Sequence, residues 1–250
     1  MKYQVYRAVI LMASCLFLGG CGDGDGSSII SSPLRGFWED VGGLTKGIVL
    51  ANGEGWFVFK DAQSNTIASC ARVQMAAATA AVPKSFTALG RQYQLQAATT
   101  TDVTGSGTYI EKTSLTGSLG GKSFSPLVYD NRYENVAVQA DIGGSWVGNY
   151  GSYTVGTTVV ETTLTLTIDS VTGGVTGDDT TACHYVGSAQ PRPADPALFD
   201  ISLTQSCVDT TTRQLSGIAY TTLDAGKHYV SVATTTDDRS GAALFIGEKQ

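Results

Sequence analysis

The chain has 250 residues and a formal net charge of −6, from 22 acidic and 16 basic residues, with two histidines and five cysteines. No cluster of Lys and Arg interrupts this acidic balance, which excludes nucleic acid as an expected partner, because binding a polyanion relies on grouped cations. Only 15% of the residues are charged and 30 are glycine; Thr, Val and aromatic residues recur in short runs, the vocabulary of strands and turns and not of helices.

Met1 to Arg7 carries two positive charges and no acid, and Ala8 to Leu18 is apolar apart from Ser14 and Cys15. This is the pattern of an export signal peptide. The apolar run is about 11 residues against the roughly 20 needed to cross a bilayer as a helix, so it reads as a removable address. Leu18-Gly19-Gly20-Cys21 follows directly. The tetrapeptide resembles the lipobox of bacterial lipoproteins: an aliphatic residue, two small ones, then the cysteine whose thiolate takes a diacylglycerol. The resemblance implies cleavage after residue 20, lipidation of Cys21 and a membrane partner reached through N-terminal acyl chains, of which more than one is needed for stable anchoring. In that family an Asp straight after the cysteine holds the protein in the inner membrane; Gly22 in that place implies the outer membrane. Without residues 1–20, 14 basic residues face 22 acidic ones, a formal charge of −8.

Residues 21–33 form the lipidated tether, with Gly22 to Pro33 rich in Gly, Asp and Ser. A flexible segment of this length reaches about 20 Å. Asp23-Gly24-Asp25-Gly26 lacks the ligands that a calcium loop needs at Ser27 and Leu34, so it reads as a solvated spacer and no metal site is expected.

A repeat organises the remainder. Leu34-Arg35-Gly36-Phe37-Trp38 returns as Ile142-Gly143-Gly144-Ser145-Trp146, 108 residues later, and each Trp is followed by a lone cysteine, Cys70 and Cys183, after 32 and 37 residues. Two copies of one β module are expected, 34–138 and 139–250. In the first, Trp38 opens the leading strand, and further strands are expected near Gly47–Leu50, Trp56–Phe59, Thr66–Val73, Tyr93–Ala97, Gly107–Glu111, Ser114–Leu119 and Phe124–Tyr129. The alanine-rich stretch Met75 to Val82 and the bridge Asn131 to Asp141 are expected as helical turns. In the second, Trp146–Tyr150, Thr157–Glu161, Thr163–Asp169, Ala182–Gly187, Leu198–Gln205, Leu215–Thr221, His228–Thr234 and Ala242–Gly247 are the expected strands. Thr163 to Asp169 alternates at period two, which puts Leu164, Leu166 and Ile168 on a core face. The fold class is therefore all-β, two tandem antiparallel modules of about eight strands each. Each is a small barrel or barrel-like sandwich, the barrel favoured because closure removes both strand edges.

Lipobox, tether, two modules each opening on a Gly-x-Trp, and a last strand Gly241 to Lys249 are similar in arrangement to Gram-negative surface lipoproteins that end in eight-stranded barrels, such as the transferrin-binding and complement-factor-binding lipoproteins. The likeness implies a binding module with a protein or carbohydrate ligand, and transfers no ligand-contact residue.

Cys183 and Cys207 lie 24 residues apart on candidate neighbouring strands, and export permits a disulfide between them. Cys70 is then left over and reads as a small buried hydrophobe. Material for catalysis is scarce. Neither His184 nor His228 sits in a metal-ligand spacing and no Gly-x-Ser-x-Gly elbow exists. His184 follows Cys183 on a strand, so it should face solvent. Asp178-Asp179 and Asp237-Asp238 read as turns, and with them a hydrolase using acidic residues is the minor alternative. No catalytic, cofactor or metal residue is assigned. Trp38 and Trp146 read as core at the floor of each module, and Tyr129, Tyr133, Tyr150 and Tyr153 gather near the junction, where a cleft would form. The Thr runs 99–101, 210–212 and 234–236 read as solvated strand ends. The expectation is an envelope lipoprotein acting as a binding or structural module; a periplasm-facing assembly factor or inhibitor is the second reading.

Overall fold

The computed structural model describes residues 31–250 apart from 65, 81–82, 96, 155–158 and 210. The expected signal peptide, Cys21 and the tether as far as residue 30 lie outside the described residues. Two closed antiparallel barrels of eight strands stand in tandem. The first runs β1 (Gly36–Glu39), β2 (Thr45–Val49), β3 (Glu54–Lys60), β4 (Ile67–Ala78), β5 (Ser85–Gln94), β6 (Thr99–Ile110), β7 (Ser114–Leu119) and β8 (Lys122–Asp130), with β8 closing on β1. The second runs β9 (Gly144–Thr154), β10 (Val160–Ile168), β11 (Gly174–Asp179), β12 (Cys183–Pro191), β13 (Phe199–Cys207), β14 (Thr212–Asp224), β15 (Lys227–Thr236) and β16 (Gly241–Lys249), with β16 closing on β9. Every neighbour in space is a neighbour in sequence or the closing pair. Closure pairs the backbone of the edge strands, the physical reason a barrel wins over a sandwich here.

The repeated pentapeptide is a plug. Leu34 and Ile142 are fully buried, and the indole N–H of each module's Trp donates to the carbonyl four residues before it, Trp38 to Leu34 at 2.9 Å and Trp146 to Ile142 at 2.8 Å. The glycine between them takes a positive φ in both copies, +151° at Gly36 and +127° at Gly144, which a side chain would strain. Each segment thus folds over one end of its barrel and seals it with an indole whose one polar atom is satisfied. Both tryptophans belong to the interior clusters, as core residues at the floor.

Burial follows the expected alternation in β10, where Leu164, Leu166 and Ile168 are buried between more exposed threonines. Three expectations fail. Met75 to Ala78 is not helical: it completes β4, pairing with Phe86, Ala88 and their neighbours on β5, and pairing overrides the helix preference of alanine. Residues 81–82 of that stretch lie outside the described residues. Thr99 to Thr101 opens β6 with Thr99 and Thr101 exposed, a solvated strand end as expected, but Thr234 to Thr236 in β15 has all three side chains buried and is not one. Their hydroxyls are accommodated by turn and backbone partners, Thr234 by the Ala243 carbonyl and Thr236 by Asp238. Finally, residues 160–161 of the strand expected at 157–161 and the strand expected at 163–169 belong to the single strand β10, residues 157–158 lying outside the described residues, while β11, with Asp178 and Asp179 at its end, replaces an expected turn. Asn131 to Asp141 holds a 3₁₀ turn (Asn131–Glu134) and the start of a four-residue helix (Gln139–Ile142).

Candidate binding cleft between the barrels

Strand alternation gives each barrel an outer as well as an inner apolar face, and the outer faces of β1 to β5 meet those of β14 to β16 and the end of β9. Two clusters form the joint. One gathers Leu50, Trp56, Tyr133, Leu198 and Ile218; the other gathers Cys70, Tyr93, Leu95, Tyr153 and Leu244. Phe37 packs edge-on against Tyr133 at 5.4 Å and tilted against Tyr220 at 5.3 Å.

Polar contacts lock this joint at three heights. Asp195, fully buried in the β12 to β13 loop, accepts the Ala51 N–H at 2.6 Å and the Tyr133 hydroxyl at 2.5 Å, while its second oxygen takes the Arg192 Nε at 2.6 Å. Burial and that carboxylate together push the Tyr133 pKa up, keeping it a neutral donor. Midway, Arg72 donates to Thr235 at 2.8 Å and to Glu54 at 2.9 Å, with its guanidinium 4.8 Å from the Trp56 ring. At the far end, Tyr153 donates to the Thr99 carbonyl at 2.9 Å and Arg91 to the Arg239 carbonyl at 3.0 Å.

The two convex walls cannot touch everywhere, and where they part they leave a cleft of about 560 Å³. Its floor holds Ile48, Trp56, Val58, Ile218, Ala233 and Leu244, and its rim the charged Glu39, Lys46, Lys60, Asp130, Arg132 and Asp224. Glu39 pairs with Lys46 at 2.9 Å and Asp130 with Arg132 at 2.5 Å. A second cleft of about 430 Å³ is polar, with Asn52, Glu54, Arg72, Gln190, Arg192 and Asp200 in its lining. Its arginines are already engaged, Arg72 by Glu54 and Arg192 by Asp195 and Asp200.

The four junction tyrosines do not share one cleft. Tyr133 is locked under Asp195, Tyr129 stacks edge-on with Trp38, Tyr153 packs on Tyr93, and Tyr150 lies inside the second barrel against Tyr185.

Cys183 and Cys207 face each other across β12 and β13 and are joined by a disulfide. Cys70 is a free, buried thiol, and burial pushes its pKa up to about 12, far from the range of a reactive thiolate. Both lone cysteines of the repeat sit on the fourth strand of their barrel, opposite Tyr93 in one case and Cys207 in the other. On β4 Ala71, Val73 and Met75 face the barrel interior, so Cys70 faces outward into the joint, while on β12 Cys183 shares the interior face with Tyr185.

His184 is exposed and its Nδ1 lies 2.8 Å from Asp178 on the outer wall. Asp179 points the other way, buried beside the disulfide, where it accepts from the Thr181 and Cys183 N–H groups, the Thr181 hydroxyl and, at 2.8 Å, Tyr185. Burial alone would raise the Asp179 pKa; these donors outweigh it and hold the carboxyl below its ordinary value. Asp178 and His184 thus lie on the outer face of the sheet and Asp179 on the inner one. Among the described residues no group of His, Cys, Asp and Glu is arranged to hold a metal ion, and no helix is long and apolar enough to cross a membrane. Asp195, which sequence reading passes over, had one local signal: its place in Pro191-Arg192-Pro193-Ala194-Asp195-Pro196, a loop stiff enough to present a carboxylate at a fixed point. Comparison of the chain with protein-family models, with curated proteins and with solved structures finds no match.

Proposed function

We propose that this chain is a membrane-anchored envelope lipoprotein whose paired barrels act as a binding module, lipidated at Cys21 and held in the outer membrane. The observation that carries the binding role is the cleft of about 560 Å³, walled by both barrels and placed in the volume range of small-molecule sites. Two sealed barrels locked by Asp195, Arg72 and Tyr153 form a rigid body, and a preorganised cleft spends little free energy on ordering when it binds. The anchor rests on Leu18-Gly19-Gly20-Cys21 following an apolar run.

Fractionation with protease shaving tests this reading. Cells carrying the native chain should hold it in the outer-membrane fraction, and Cys21→Ser should take it out of that fraction and leave an uncut precursor held in the inner-membrane fraction by its apolar signal segment. A Cys21→Ser chain that still fractionates like the native one would refute lipid anchoring. Treating intact cells with protease then assigns the face: loss of the second barrel before permeabilisation places the cleft outside the cell, and protection places it towards the periplasm.

A further inference from the structure

Both plugs close the same end of the molecule. Ser32, at the entry to the first plug, donates its N–H to the Ala51 carbonyl at 2.7 Å, and Ala51 in turn donates to Asp195 beside the second plug at 2.6 Å. The linker between the barrels crosses here too, with the Ala137 N–H on the Pro196 carbonyl at 2.7 Å. The opposite ends are joined by Tyr153 on Thr99 and Arg91 on Arg239, so the barrels stand side by side with their plugs on one side. The segment that leads back to Cys21 therefore leaves from the plugged end, close to the joint.

That end carries an apolar surface. Val136 is 75%, Val138 52% and Val171 84% exposed, and Ala140, Pro193 and Ala194 are exposed at the same end. They belong to three segments held together. The linker with its short helix is bonded to the β12 to β13 loop through Pro196, and in the β10 to β11 turn Ser170 lies so close to Gly143 that a side chain there would collide. Asp141 and Asp169, the acids among them, turn their carboxylates onto N–H groups of their own segments, at Val138 and at Val171 and Thr172. Arg132 is paired with Asp130, and Arg192 with Asp195 and Asp200. What remains to meet a partner is valine, alanine and proline.

The length of chain before Ser32 says what that partner is. Ten residues, Gly22 to Ser31, separate Cys21 from the Ser32 hydrogen bond. Such a run reaches at most about 35 Å when fully extended, and one rich in Gly and Ser spans about 18 Å on average. A barrel of ten-residue strands such as β5 is about 25 Å tall at the usual tilt. With Cys21 in a membrane, the plugged end meets the lipid without stretching the segment, whereas the opposite end reaches it only when the segment runs back along the barrel. A short tether also keeps the surface at a high local concentration, so a contact too weak to bind a membrane by itself stays occupied.

We propose that the plugged end of the molecule seats on the phospholipid surface that holds Cys21, with Val136, Val138 and Val171 in the headgroup layer and the opposite ends of both barrels directed away from it. The seating rests on the lipid anchor proposed above, and the two are read by separate measurements.

The chain is purified from membranes in detergent and reconstituted into vesicles of phosphatidylethanolamine and phosphatidylglycerol, some of whose lipids carry a nitroxide at the headgroup level. Flotation of the vesicles reads the anchor. An environment-sensitive fluorophore on Val136→Cys, Val171→Cys or, in the β1 to β2 turn at the opposite end, Val41→Cys reads the seating. Val41 is 95% exposed, and Cys70 stays unlabelled because it is buried. The fluorophore at Val136 and Val171 should shift to the blue and be quenched several-fold more than at Val41, as groups buried about 5–10 Å into the headgroup boundary must be. Val136→Glu combined with Val171→Glu should bring quenching at a Val138→Cys label down to the Val41 level while the chain still floats. All these sites are exposed, so the fold is kept, and far-ultraviolet circular dichroism checks it. A chain that floats with equal quenching at Val136, Val171 and Val41 overturns the seating and leaves the anchor standing. One that does not float overturns the anchor and the seating with it. A blue shift that appears without vesicles and rises with protein concentration gives the surface to a second copy and likewise overturns the seating.

Discussion

Asp179 shows how a residue that reads as a turn acquires a different role. Its neighbour Asp178 faces solvent, whereas Asp179, one residue on, faces the barrel interior and collects donors from the Thr181 to Cys183 turn and from Tyr185. In the unfolded chain such a carboxyl titrates near 3.8, and in the folded protein it lies lower. The stabilisation is therefore fully present above about pH 5 and is lost as pH falls through the folded value. Urea midpoints measured at about pH 6 and about pH 3 should differ more for the native chain than for Asp179→Asn, which has no ionised form to lose. Equal pH dependence in the two would show that Asp179 contributes nothing to acid sensitivity. The period-two rule already divides Asp178 from Asp179 by face; which of the two faces inward depends on the register against β10, where Leu164 stands opposite Asp179.

Among the elements, those with strict alternation were legible and those whose composition misleads were not. The Leu164, Leu166 and Ile168 strand could be read at once because a half-buried strand in water must alternate. The end of β4 could not, since Ala76, Ala77 and Ala78 carry no pattern of their own and take strand geometry from Phe86, Thr87 and Ser85 opposite them. The threonines of β15 differ from expectation for two reasons: Thr234 and Thr236 share the inward face of Val230 and Val232, and Thr235 on the outward face is covered by the joint, where Arg72 donates to it. The disulfide between Cys183 and Cys207 was foreseen from spacing and sits between β12 and β13, closing a 24-residue separation. Replacing both cysteines by serine should cost the second barrel about 3 kcal/mol in the chain-entropy account, read as a lower urea midpoint with the fold retained. An unchanged midpoint would mean that the β12 to β13 ladder already supplies the whole constraint.

At the scale of the whole molecule, the joint decides whether two barrels behave as one. Trp38 and Trp56 report on the first barrel and Trp146 on the second. With the joint intact, unfolding followed in a Trp146→Phe chain and by circular dichroism of both barrels should coincide in a single transition. Asp195→Ala removes the acceptor of a buried N–H, a buried hydroxyl and a guanidinium, at a cost of about 3 kcal/mol or more, and should separate the two transitions. Coincident transitions in Asp195→Ala would assign the coupling to the apolar clusters instead. The sequence by itself determined that the chain is all-β, that it repeats, that each copy opens on a buried indole and that Cys183 has Cys207 within reach, because alternation, turn residues and spacing are local properties. Only the tertiary structure decided closure into barrels, the outward turn of Cys70, the inward turn of Asp179, and the cleft between the barrels. Each of these depends on strand register or on two outer walls coming together, and the residues that meet there, Ala51 with Asp195 or Arg72 with Thr235, are more than a hundred positions apart in the chain.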